Sequence, residues 1–406
     1  MRLQRLRGLD VLQPAASPTV LRRFAGPKAV ELVVLCRPEP QSADVAQQAR
    51  SAYRDLVDLL SAHGASTRDL ASETLFLRHV ERDLPRVLEA REKALADSGQ
   101  AAGAPLPAFI GQAPLVEGAS LELAAWAVVP HDRDAWSVRD VRAVPSCACE
   151  GCARTGARLV GLDEQLSVHT TNVYGAGDDA YAQTWEMFCA AERLLQQAGV
   201  GFHDVARAWI HLRDIDRDYD ALNRARREFF RDRDIALLPA STGVQGVPFP
   251  DAHDVSLRLE AVRSPRPPGF TAVSTPTLNE AWSYGADFSR GLRLSEANKA
   301  TLHVSGTASI DEAGRTVHIG DFEAQVGRML DNIEALLAGQ GAGFGNLVSA
   351  ITYLKNPGDA QVLRSMYRRR GLIGFPCAIV EAGLCRPELL CETEAVAILP
   401  LQAAGA

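Results

Sequence analysis

The chain is short of positive charge: 43 lysines and arginines stand against 50 aspartates and glutamates, a formal net charge of -7. That balance leaves no basic footprint of the kind a phosphate backbone attracts, so nucleic acid is not an expected partner. Long apolar runs are missing too. No stretch reaches the roughly 18 uninterrupted apolar residues of a membrane-spanning helix. The basic segment MRLQRLRGLDVLQPAASPTVLRRF has no apolar run of signal-peptide length, so the expected location is cytoplasmic, with no membrane partner. Cysteine is sparse, eight in 406 residues and mostly inside apolar strand-like runs, which fits reduced packing thiols better than a disulfide framework. What remains is an ordinary globular balance, 47% hydrophobic and 23% charged, in a chain with room for about two to four domains.

The chain repeats itself. Gln48, Gln183 and Gln325 each open an apolar-periodic stretch, and each is followed 16 residues later by a glycine, Gly64, Gly199 and Gly341. The third copy shows a helical face in Phe322, Val326, Met329, Leu330, Ile333, Leu336 and Leu337, and each glycine is a natural helix stop. Fourteen residues past each glycine a strand-like run ends in Arg78, Arg213 or Lys355, and 13 residues further a second helical segment presents Arg91, Arg226 or Arg368. Each copy closes on another strand, around Glu122, Arg258 and Glu392, and is preceded by an extended segment at 29–35, 158–170 or 301–310. Period matching treats Glu122, Arg258 and Glu392 as equivalent.

The fold class expected is α/β (α+β): three tandem βαβαβ units, 1–150, 151–265 and 266–406, packed as a pseudo-trimer because a sheet backed on one face by helices needs a partner for the other. The stretch 97–118 reads as a long loop of the first unit, and 131–157 and 263–275 as connections between units.

The third unit carries the words SYGADFSRG (283–291), HVSGTASID (303–311), HIGDFEAQ (318–325), DNIEALL (331–337) and LCRPELLCETEA (384–395); the second carries RAWIHLRDIDRDYDALNRARREFF and LLPASTGVQG. Together they resemble the Rid (YjgF) superfamily with its chorismate mutase-like units, and more narrowly the chorismatases with their hydroxybenzoate-forming branch. The similarity covers roughly 155–400, and 1–150 joins it only through the repeat. The resemblance implies a cleft between neighbouring units and a small-molecule carboxylate substrate. It further implies hydrolysis of a chorismate-type enol ether in a biosynthetic setting, releasing pyruvate with a cyclohexadiene or hydroxybenzoate. Glu392 falls at the proton donor's place, and the apolar Leu389, Leu390 and Cys391 beside it favour a raised pKa. Glu394, two residues on, shares its strand face.

By the same resemblance Arg226 and Arg290 are expected to hold the substrate's carboxylates, with Arg386 and Arg368 behind them. Tyr284, Ser305, Gly306, Thr307 and Cys385 are expected to line the cleft, although VSGT also reads as a strand with a bulge at Gly306. Two departures keep alternatives open. YGADFSRG lacks the longer, arginine-bearing stretch that precedes this word in chorismatases, and FPCAIVEAG lacks the arginine of simple Rid deaminases. A Rid-type enamine/imine deaminase and a non-catalytic Rid-fold binding or assembly protein therefore stand beside the first reading. A single chain that supplies all three units can act as a monomer or associate further.

No cofactor is indicated and no metal is assigned. CACEGC supplies Cys147, Cys149 and Cys152, which read as a zinc site, a redox-sensitive loop or plain loop thiols, with His131 or His169 the available fourth ligands.

Overall fold

The computed structural model describes residues 9–12, 19–38, 44–263, 269–281, 286–296 and 299–401. It contains three six-stranded sheets of one topology. In the first, β1 (Leu9–Leu12), β2 (Val20–Ala25), β3 (Ala29–Cys36), β4 (Leu70–Leu77), β5 (Ala108–Gly111) and β6 (Leu121–Pro130) lie in the order β1-β2-β3-β6-β4-β5. Helices α1 (Val45–Ala62) and α2 (Val80–Asp97) follow β3 and β4. The second sheet takes β7 (Trp136–Arg142), β8 (Gly156–Leu162), β9 (Gln165–Thr170), β10 (Val205–Leu212), β11 (Ala240–Gln245) and β12 (Val255–Arg263), with the short α3 (Glu150–Ala153) and the long α4 (Ala180–Ala198) and α5 (Ile215–Asp232). The third takes β13 (Gly269–Val273), β14 (Gly291–Ser295), β15 (Lys299–Ala308), β16 (Leu347–Leu354), β17 (Cys377–Glu381) and β18 (Cys391–Pro400), with α6 (Phe322–Ala338) and α7 (Ala360–Arg369). Only β4–β5, β10–β11 and β16–β17 pair in parallel among the described ladders.

The repeated residues have repeated jobs. Gly64, Gly199 and Gly341 all sit at positive φ, 69°, 80° and 73°, and behind each the same closing bond recurs at 2.9 Å: Ala65 N to Leu60 O, Val200 N to Leu195 O, Ala342 N to Leu337 O. The buried glutamines tie each first helix to the root of its unit's last strand. Ser120 N, Asp254 N and Leu390 N donate to the side-chain oxygens of Gln48, Gln183 and Gln325 at 2.8, 2.8 and 2.9 Å. In the third unit this glutamine, in the first turn of α6, therefore fixes where β18, and with it Glu392, begins.

Each unit has its own core between helices and sheet. In the third, Val326, Met329, Leu330, Ile333, Leu336 and Leu337 of α6 pack on Leu302, Val304 and Ala395 of the sheet, each fully buried side chain contributing about 1.5–3 kcal/mol. Three smaller apolar clusters join the units in pairs. Leu9, Phe24 and Val33 meet Val348, Val396 and Ile398; Ala71 meets Trp136 and Val160; Ala206 and Ala240 meet Leu292. Backbone bridges Gly111–Val247, Pro114–Val380 and Ala240–Ser289 connect the same three pairs. Residues of all three sheets, among them Glu31, Trp126, His169, Glu260 and Lys299, also line a cavity of about 640 Å³.

Three segments differ from the sequence reading. The loop at 97–118 holds β5, the connection 131–157 holds β7, and the connection 263–275 holds β13. The second sheet thus begins at Trp136, ahead of the expected boundary near 150. β7 and β13 are edge strands with largely exposed residues, such as WSVRDVR, held by backbone pairing rather than an apolar pattern, whereas β5 is a buried apolar strand of only four residues, AFIG. The β-register also replaces one equivalence. Phe76 pairs with Glu122, His211 with Ser256 and Tyr353 with Glu392, so the middle unit's counterpart of Glu392 is Ser256. Arg258 instead aligns with Glu394 and Ala124, through Trp209, Ile351 and Thr74.

Candidate active site

Glu392 is the second residue of β18, a strand that is apolar along most of its length and central in its sheet, so its carboxyl is 5% exposed. The partner strand β15 does not run past it evenly. Its register with β18 slips between Val304 and Thr307, and the bulge places Gly306 directly against the carboxyl: a β-carbon there would stand 1.9 Å from Glu392 Oε1. Glycine is required at that position because the carboxyl occupies the space a side chain would take.

The second unit supplies the facing wall. Thr242 on β11 accepts the Gly306 N–H at 3.0 Å and a hydrogen bond from Arg207 of β10. Arg207, 1% exposed, pairs with Glu394 at 2.7 Å, and Glu394 also takes Trp209 Nε1–H at 2.5 Å and Tyr353 O–H at 3.0 Å. Arg207 Nη1 is buried with no hydrogen-bond partner among the described residues. Glu394 is thus the anchor of a buried ion pair.

These surroundings act on Glu392 in opposite directions. Burial raises its pKa most, Glu394 raises it further, and Arg290, Arg207 and Arg386 pull it back, leaving it at about 8. The group therefore carries its proton at neutral pH. Cys385, packed between the cores of the second and third units, is pushed up to about 12 by burial and by Glu392, so it is a neutral thiol.

Of the other expected residues, Arg226 on α5 is buried and lies over the Phe288 ring at 5.7 Å, with Asn223 Oδ1 accepting from it at 2.7 Å. Arg290 approaches the same ring at 5.6 Å and donates to Asn279 O and Oδ1 at 2.7 and 3.0 Å. One guanidinium from each unit thus flanks Phe288. Arg386 donates to Gly314 O at 2.8 Å. Ser305 and Thr307 engage their hydroxyls with the backbone. The Ser305 hydroxyl donates to Ser289 O and accepts Ser241 N–H, at 2.5 and 2.9 Å, and Thr307 donates to Ser305 O at 2.8 Å. Arg368 is exposed on α7. Tyr284 lies outside the described residues.

Sequence reasoning missed Arg207, Thr242 and the task of Glu394. The only signal was RAWIHLR, which marks a strand without saying which neighbour it faces. The fourth residue beside CACEGC was missed as well: Cys147, Cys149 and Cys152 converge on His253. Of the candidates named, His131 bonds Gly26 O at 2.9 Å and His169 is half-buried near Arg258, Arg158 and Glu31.

Comparison with known proteins agrees with this architecture. Residues 284–399 match the family model described as Endoribonuclease L-PSP. The chain is similar to the 3-hydroxybenzoate synthase of Streptomyces hygroscopicus, 26% identical over 225 residues that make up 48% of this chain and 64% of the synthase. It therefore spans a little under two thirds of that relative's length. It is also similar to the 3-aminoacrylate deaminase RutC of Acinetobacter baylyi, 28% identical over 97 residues, 24% of this chain and 77% of the deaminase. Among solved structures, a chorismatase crystal structure shares the fold, with a TM-score of 0.58 at 17% identity over 81% of this chain and 93% of that one. Among the described residues no helix is long and apolar enough to cross a membrane.

Proposed function

We propose that this chain of three Rid-like units is an enzyme that hydrolyses the enol ether of chorismate or a close relative of chorismate, with Glu392 as the acid. The observation that carries the reading is a protonated, buried carboxyl at about pKa 8, seated against a bulged glycine and surrounded by guanidinium groups from two units. An enol ether is broken by protonation at its methylene carbon. Glu392 gives its proton there, the electron pair of the C=C bond forms the new C–H bond, and an oxocarbenium ion results. Water adds to that ion and loses a proton to the Glu392 carboxylate. The hemiketal then collapses: its ether C–O bond breaks as the hydroxyl oxygen forms the new carbonyl, the hydroxyl proton passes to the departing ring oxygen, and pyruvate leaves with the ring alcohol.

Arginine forks suit the carboxylates of such a substrate. Arg226 and Arg290 take them in this reading, Arg386 stands behind, and Arg207 Nη1 is a buried donor with no acceptor among the described residues. The guanidiniums also stabilise the carboxylate that Glu392 becomes after it gives up the proton. Gly306 makes room for the acid, Cys385 packs beside it as a neutral wall, and Ser305 and Thr307 fix the bulge. The pseudo-threefold arrangement is part of the same reading, supported by the three pairs of bridges and apolar clusters. So is a cytoplasmic location, which eight free thiols suit.

The test is pyruvate release from chorismate, with Glu392→Gln beside the parent: pyruvate from the parent alone supports the reading, and none from either sinks chorismate as the substrate. The similarity to a 3-aminoacrylate deaminase favours a second reading, hydrolysis of an enamine or imine, in which the same acid protonates the enamine carbon. Ammonia release from 3-aminoacrylate, with no pyruvate from chorismate, selects it.

A further inference from the structure

We propose that Cys147, Cys149, Cys152 and His253 form a closed zinc site within the second unit that locks the loop by which this unit reaches into the first. All four ligand atoms lie within 4.8 Å of one another. His253 Nε2 stands 3.1 Å from Cys149 Sγ and 3.8 Å from each of Cys147 Sγ and Cys152 Sγ, and the latter two sulfurs are 3.3 Å apart. A tetrahedral Zn²⁺ with bonds of about 2.3 Å to sulfur and about 2.0 Å to nitrogen needs ligand atoms roughly 3.5–3.8 Å from one another. The four atoms bracket that spacing. Three thiolates and an imidazole are the donors zinc prefers, and four protein ligands leave no open position for a water, the mark of a structural rather than a catalytic site.

The surroundings are built for it. Cys152 N–H points to Cys149 Sγ at 3.3 Å, and the Ser146 hydroxyl lies 3.3 Å from Cys152 Sγ. The Tyr174 ring stacks on His253 with centroids 4.6 Å apart. His253 is 2% exposed, and its loop is held by Arg213, which donates to His253 O and Pro248 O at 3.2 and 3.0 Å. The turn of CACEGC fits this loop closely: a β-carbon at Gly151 would stand 2.3 Å from Phe249 O.

The position gives the site its purpose. The three cysteines lie on the segment between β7 and β8, whereas His253 ends the loop between β11 and β12. That loop pairs Val247 with Gly111 of the first unit and inserts Phe249 into the first unit's core, 6.0 Å from the Phe109 ring. An ion there locks a loop that is already threaded into its neighbour. On binding, the three thiols release their protons to solvent and the metal gains four bonds, with no change of oxidation state. The competing use of the same atoms is a disulfide between Cys147 and Cys152.

Elemental analysis of the full chain purified without chelator tests this, together with replacement of zinc by Co²⁺. The expected result is one zinc per chain, thiolate-to-cobalt charge-transfer absorption and the visible bands of four-coordinate cobalt. Both are lost in Cys149→Ser and His253→Ala and kept in Cys189→Ser. Chelation is expected to lower the Tm of the parent, a readout that survives if a variant does not fold. Metal-free protein that takes up neither ion after reduction, or intact-mass loss of two hydrogens mapping to Cys147 and Cys152, overturns the proposal. None of these readouts depends on turnover at Glu392.

Discussion

Glu122 and Glu392 occupy the same register position in two units of one topology, yet their surroundings differ, and in the proposed function only Glu392 gives away a proton. Both are buried, and burial raises both. Around Glu392 the opposing strand bulges, Gly306 clears the space, and the arginines act from a distance. Around Glu122 the ladder of β3 and β6 is regular, and Arg37, immediately after β3, bonds the carboxyl directly. Its Nε donates to Glu122 Oε1 at 2.7 Å and its Nη2 to Cys377 O of the third unit at 2.8 Å. Glu122 is half of an internal salt bridge that closes a junction, whereas Glu392 has no such partner among the described residues and is the acid of the proposed reaction. Ser256, buried and without a carboxyl, completes the series. In that proposal a β-bulge with one glycine separates a chemical site from a structural one at the same strand position.

That contrast breaks most sharply at the carboxyls. Glu392→Gln is expected to cut pyruvate release by about 10²–10⁴-fold, the usual worth of a general acid. Glu122→Gln, remote from the chemistry, is expected to stay within about threefold. Steady-state assays of the two variants side by side check this, and equal losses would abolish the distinction.

Stability inverts the order. Arg37→Met leaves a buried carboxylate without its cation and is expected to cost about 3–5 kcal/mol, while Arg37→Met with Glu122→Leu recovers most of it, since an apolar pair pays no desolvation. Denaturant melts of the single and double variants decide.

Gly306→Ala should lower turnover by about 10–100-fold, the scale of a misplaced catalytic group, because its β-carbon meets the Glu392 carboxyl. An activity equal to the parent's would show that the bulge has room to spare.

A pH dependence sharpens the contrast from the side of stability. Glu392 binds its proton more tightly folded, at about 8, than at the ordinary value of 4.5. Its contribution to stability is therefore complete below about 4.5 and is lost as pH rises through about 8. Relative to Glu392→Gln, the parent should lose Tm progressively over that window, and turnover should fall above pH 8. A difference in Tm that stays flat from pH 5 to 9 would mean the group is not so shifted.

The sequence made the repeat plain because helix periodicity, a stop glycine and a buried glutamine recur at fixed spacing, and those residues answer to local geometry. It pointed to Glu392 because a carboxyl on an apolar strand is unusual, and because the surrounding words resemble a known family. The cross-unit features stayed hidden. Arg207, Thr242 and Asn172, which accepts the first unit's Phe109 N–H at 2.8 Å, act on other units, and strand patterns do not encode which unit is the neighbour. Arg258 was aligned with Glu392 by period alone, and only pairing through His211 shows Ser256 there. His253 lies about a hundred residues from the cysteines it meets, so spacing could not connect them. The edge strands β7 and β13 lack an apolar face to advertise them.

The most direct test of the acid is chorismate turnover in D₂O, with the pyruvate trapped at once by reduction to lactate and its methyl group examined by mass spectrometry and NMR. Proton delivery to the methylene carbon places one deuterium in that methyl group in the parent, and Glu392→Gln forms almost none of the product. Pyruvate without deuterium, or deuterated product formed equally fast by Glu392→Gln, would contradict the account.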